Sequence, residues 1–92
     1  MNKYDFNKPL IGLRGEKMGD DTLGQILADV LTQSTTGDSV KFYEIGVELM
    51  RNEPIKIDTT DKESIEKFLS SLTQLKNIAK AQILLILKNP IK

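Results

Sequence analysis

From Leu23 onward the apolar residues of this chain recur at helical spacing, and that periodicity constrains the fold more than any other feature. Leu23, Ile26, Leu27, Val30 and Leu31 follow an i, i+3, i+4, i+7, i+8 pattern, which makes one apolar stripe on a helix. The spacing predicts a first helix from about Thr22 to Gln33. Thr22 with Gln25 three residues on forms a capping box, and Asp20 and Asp21 set negative charge at the positive end of the helix. Gly24 stands one step from the stripe. It costs up to ~1 kcal/mol of helix propensity and leaves room for the preceding hairpin to come close. Ser34-Thr35-Thr36-Gly37 ends the helix.

A second helix is predicted to start at Asp38, a good N-cap, and to run to about Arg51 or Asn52. Its apolar residues form two overlapping stripes, Val40, Tyr43, Val47, Met50 and Phe42, Ile45, Leu49. They cover more than half the circumference, which predicts a central helix packed on two sides. Gly46 lies between the stripes, where a neighbouring backbone can approach, and Glu53-Pro54 terminates the helix. Thr60-Asp61-Lys62-Glu63 reads as a capping box with Thr60 as N-cap of a third helix, whose stripe is Ile65, Phe68, Leu69, Leu72 and Leu75. A fourth is expected over about Lys76 to Asn89, stopped by Pro90. It carries Ile78, Ala81 and Leu85 on one face, with Ile83, Leu84, Ile86 and Leu87 spread over another. No glycine or proline separates the last two helices, so one long helix bent near Ser71 to Asn77 fits the pattern equally well.

Residues 4–18 read as strand and turn. Tyr4 and Phe6 alternate with polar residues, and Pro9 blocks a helix. Leu10-Ile11-Gly12-Leu13 is a short apolar run, Gly15 suits a tight turn, and Glu16-Lys17-Met18 is the returning strand, broken by Gly19-Asp20. Ile55-Lys56-Ile57-Asp58 alternates like another short strand, able to pair with the hairpin in a three-stranded sheet. The expected fold class is α+β. A small N-terminal β-hairpin, with or without a third short strand, packs on three or four helices in a single domain over residues 1–92.

Composition narrows the function. The chain has no histidine and no cysteine, so it lacks the side chain that titrates nearest neutrality, the most reactive thiol and the two best zinc ligands. Thirteen basic and thirteen acidic residues give a net charge of zero, which supplies no electrostatic drive toward nucleic acid or an anionic membrane. The charge is uneven: residues 1–60 hold seven Lys/Arg and ten Asp/Glu, net −3, and residues 61–92 hold six Lys and three Asp/Glu, net +3. The longest apolar run, Ile83 to Leu87, is five residues, where a membrane span needs about 20. The start, Met1-Asn2-Lys3-Tyr4-Asp5, has no apolar segment behind its lysine and does not read as a signal peptide. A cytoplasmic location is expected.

Short motifs resolve into structural roles. Ile11-Gly12-Leu13-Arg14-Gly15 has the G-x-x-G of the loop with which KH domains clamp a nucleic-acid backbone. That loop joins two helices, and here only eleven residues precede it. Gly19 to Gly24 has phosphate-loop spacing, but Gln25 and Ile26 stand where Lys and Ser/Thr belong. Asp20-Asp21 and Asp58-Asp61 could bind a hard cation, yet before helices they read as caps and dipole partners. Glu44 and Glu48 lie one turn apart on what reads as a solvated edge, and Ser70, Ser71, Thr35 and Thr36 have no histidine to activate them. As a helix-turn-helix the first two helices would offer only Lys41 and Arg51 against Glu44 and Glu48. Lys76, Lys80, Lys88 and Lys92 form the one basic stripe, explained by lysines snorkelling around a buried face. No catalytic, cofactor or metal residues are assigned.

The layout Phe6-Asn7-Lys8-Pro9-Leu10, then Leu13-Arg14-Gly15, two helices, Ile55-Lys56-Ile57-Asp58 and a Thr60-initiated helical pair resembles a group of small proteins from tailed-phage and prophage genomes. The group has no defined activity. The resemblance implies a phage accessory or assembly protein, in the host cytoplasm. The expected function is a non-enzymatic protein-interaction or assembly module, with a protein partner or self-association. A small nucleic-acid-binding regulator is the alternative, and an enzyme subunit acting through carboxylates ranks third. A domain this small covers one apolar face of the last helix more easily than two, so the interface is expected there and on its neighbours on the second helix, with Leu84 and Leu87 as exposed contact residues.

Overall fold

The computed structural model describes residues 2–91. Strands β1 (Asn2–Tyr4), β2 (Pro9–Ile11) and β3 (Lys17–Thr22) lead into helices α1 (Leu23–Gln33) and α2 (Ser39–Leu49), then strand β4 (Ile55–Ile57) and helices α3 (Thr59–Ser71) and α4 (Asn77–Lys88). The fold is α+β, as the alternation of strand and helix patterns predicts.

The strands form two separate antiparallel pairs, β1 with β4 and β2 with β3. The three-stranded sheet expected of β4 and the hairpin does not form. Ile55 and Ile57 point inward, and their strand pairs Tyr4↔Ile55 and Asn2↔Ile57, so the extreme N-terminus takes the place beside β4. The other edge of β1 is closed by Ile91, whose N–H donates to the Lys3 carbonyl at 2.8 Å. In the hairpin, the Gly15 N–H closes the turn on the Gly12 carbonyl at 3.0 Å. Gly19 does not end the returning strand: at φ +76° it makes a bulge that only glycine adopts freely, and the strand continues to Thr22.

Each helix start is built locally. Thr22 Oγ1 accepts from the Gln25 N–H at 3.1 Å while Gln25 Oε1 accepts from the Thr22 N–H at 2.8 Å, completing the capping box. Asp38 caps α2 through the Lys41 N–H. The start of α3 is two residues earlier than the sequence indicates. Asp58, not Thr60, is the N-cap, accepting from the Asp61 N–H at 2.7 Å; an aspartate at the strand end captures the helix before the threonine can. Asp20 and Asp21 lie on β3, outside the first turn of α1. The chain leaves helical geometry at Leu72, which separates α3 from α4, and Lys80 Nζ donates to the Leu72 carbonyl at 2.6 Å across the break.

One contiguous core joins these elements. Tyr4, Phe6, Leu27, Ile65, Leu69, Ile83 and Leu87 lie at its centre. Phe42 of α2 meets Phe68 of α3 edge to face at 5.2 Å between centroids. The α1–α2 crossing is close because Gly46 has no side chain: a Cβ there would stand 2.8 Å from Thr32 Cγ2. Gly24 also lies at a close approach, but to a different neighbour than expected. Its N–H donates to the Phe6 carbonyl at 2.9 Å, and a Cβ would crowd Phe6 and the Leu49 carbonyl, not the hairpin.

Candidate functional site

The expected contact residues on α4 are mainly core. Leu87 is completely buried and Leu84 half-buried, so neither is the exposed interface that the sequence pattern predicts. The reason is geometric. Helices α1 and α3 both pack on α4, covering Ala79, Ile83 and Leu87. The hairpin covers a further side: Gln82 Oε1 accepts from the Ile11 N–H at 3.0 Å and Gln82 Nε2 donates to the Ile11 carbonyl at 2.6 Å. A side-chain amide thus stands in for a strand on the outer edge of β2. Leu84 and Ile86 pack against the core margin, and Leu85 is left well exposed.

The open apolar surface lies on α2 instead. Phe42, Ile45 and Leu49 point into the core, but Val40, Tyr43, Val47 and Met50 are 66%, 64%, 41% and 51% exposed. The helix is therefore packed on one broad face and not on two. Gly46 sets this roll, because it turns the smallest surface of α2 toward α1 and so rotates the Val40–Met50 stripe outward. The four residues follow 3-4-3 spacing, a continuous seam along the helix and its C-cap. A smaller apolar cluster sits at the hairpin tip, where Leu13 is 96% exposed beside Met18 and Ile78.

The two edges of the α2 seam differ. On one side Tyr43 borders a shallow groove formed with Thr32 and the Ser34–Gly37 turn. On the other a charged cleft of about 410 Å³ opens between α2, β4 and the start of α3. Its walls carry five carboxylates, Glu44, Glu48, Glu53, Asp58 and Asp61, and three cations, Lys41, Arg51 and Lys56. Lys41 Nζ lies 3.4 Å from Asp61 Oδ2, and that carboxylate raises the Lys41 pKa above its ordinary value. Asp58 is occupied as a helix cap. Among the described residues, no three Asp or Glu side chains are placed to hold a metal ion.

The remaining candidates have local partners. Ser70 and Ser71 donate to the carbonyls of Glu66 and Phe68, and Ser34 shares a hydrogen bond with Thr36. Lys80 is tied to Leu72, which removes it from a free basic stripe, and Lys92 lies outside the described residues. As a recognition helix α2 would present Val40, Tyr43, Val47 and Met50, with Lys41 and Arg51 balanced by Glu44 and Glu48, a surface with no net attraction for phosphate and little to offer base edges. The seam that matters was visible in the sequence as a second apolar stripe on the second helix. Its outward direction was not visible, because stripe width says nothing about which neighbours exist. Compared with known protein families, curated proteins and solved structures, the chain matches none. Among the described residues, no helix is long and apolar enough to cross a membrane.

Proposed function

We propose that the protein is a non-enzymatic interaction or assembly module that docks another protein chain through the outward face of α2. One observation carries the reading: Val40, Tyr43, Val47 and Met50 form a contiguous exposed apolar seam on a well-capped helix. Four such side chains contribute little to folding while they face water, and a patch of this kind normally marks a contact with another chain. Tyr and Met are also residues that interfaces favour, since each combines a large apolar area with adaptable or polar contacts. The resemblance to small tailed-phage proteins supports an accessory or assembly role, with the host cytoplasm as its setting.

The test is site-specific photo-cross-linking. A benzophenone side chain replaces Tyr43 in one variant and Leu85, an exposed apolar residue on α4, in another. The reading expects protein adducts in the cell from position 43 and few from position 85. Nucleic-acid adducts from position 43 would favour the regulator alternative, and equal yields from both positions would remove α2 as the docking face.

A further inference from the structure

Resting on that reading of α2, we infer that the partner is a second copy of this chain, with the two α2 helices packed antiparallel across a twofold axis. A contact between identical copies requires a surface that is complementary to itself under rotation. The α2 seam meets this requirement in spacing and in side-chain size.

The spacing 3-4-3 reads the same in both directions. Antiparallel pairing centred on Ile45 sets Val40 opposite Met50 of the second copy, and Tyr43 opposite Val47 of the second copy. Each layer then places a large side chain against a small one, the arrangement that fills space without voids. A parallel pairing in register would instead stack Tyr43 on Tyr43 and Val40 on Val40, leaving both crowding and gaps. Antiparallel helices also set opposite ends of their dipoles side by side.

The area fits a modest dimer. Side chains this open present on the order of 400 Å² of apolar surface per copy. Two copies with their polar rim reach the small end of specific interfaces, the size of a weak, reversible dimer.

The absence of native cysteine makes the geometry directly testable. Val40→Cys and Met50→Cys are made as separate variants of the full chain, and folding is checked by circular dichroism. In the antiparallel register, a short thiol cross-linker joins one variant to the other when they are mixed. Either variant alone stays uncross-linked, because its two thiols lie about 15 Å apart along the axis. Sedimentation equilibrium of the unmodified chain is expected to show mass rising toward twice 10.3 kDa with concentration. Tyr43→Glu is expected to abolish that rise and remain folded, whereas Leu85→Glu leaves it unchanged. Efficient self-cross-linking of Val40→Cys alone would overturn the antiparallel register. A chain that stays monomeric at millimolar concentration would overturn the second copy as partner. In that case an adduct of other mass from position 43 would still uphold α2 as a docking face, so the two failures are separable.

Discussion

Helix α4 commits its apolar side chains to the core, whereas α2 divides them between core and surface. Both helices are short, and both are apolar around more than half their circumference. The difference lies in their neighbours. α4 is covered by α1, by α3 and by a hairpin held to Gln82, so only Leu85 among its large apolar side chains is widely exposed. α2 has α1 against Gly46 and α3 against Phe42, and nothing among the described residues covers Val40, Tyr43, Val47 and Met50. Burial is a property of position among elements, and helix composition alone does not decide it. The apolar face left without a neighbour is the one available for another chain.

Five tests probe this contrast, each read from urea melts at low concentration so that self-association does not contribute. The largest effect is expected on α4. Leu87→Ala is expected to destabilise by about 2–5 kcal/mol, since it leaves a cavity at a fully buried site. A loss no greater than that of Leu85→Ala would mean that α4 is not seated as described.

Gln82→Ala comes next, at about 1–3 kcal/mol, because it strands both the Ile11 N–H and carbonyl in a partly buried place. Hydrogen exchange at Ile11 is expected to accelerate in that variant. Unchanged exchange would show that the amide clamp does not hold the hairpin to α4.

Asp58→Ala acts on the helix that covers α4. It is expected to cost about 0.5–2 kcal/mol through loss of the α3 cap. Thr60→Ala, already inside the helix, is expected to cost much less, and the reverse ranking would move the helix start back to Thr60.

On the open face of α2, Tyr43→Ser and Val47→Ser are each expected to change stability by no more than about 0.5 kcal/mol. A loss as large as that at Leu87 would erase the contrast between the two helices.

The smallest effect belongs to Lys41. Its pairing with Asp61 raises its pKa, so the stabilisation is present at neutral pH, where both groups are charged, and is lost as strong alkali deprotonates the amine. Lys41→Met is expected to lower stability slightly at neutral pH, less so in high salt, and not at all in strong alkali.

The sequence by itself determined everything that depends on neighbours within about a turn. The Thr22–Gln25 capping box, the Asp38 cap, the hairpin turn at Gly12–Gly15 and the helical stripes rest on spacings of a few residues, and local hydrogen bonds and periodicity set them. Even the misplaced α3 start is a local competition between two good caps two residues apart, in which Asp58, the residue directly after β4, takes the N-cap. The tertiary structure alone decided the pairing of β1 with β4, because Tyr4 and Ile55 are 51 positions apart and alternation does not name a strand's partner. It alone joined Gln82 to Ile11 across 71 positions. It also decided which stripe of α2 meets water and that Leu87 is core, since a side chain is buried only by what packs over it. Long-range packing, fixed here by one glycine at the α1–α2 crossing and one amide on α4, converts similar apolar helices into a core element and a candidate docking surface.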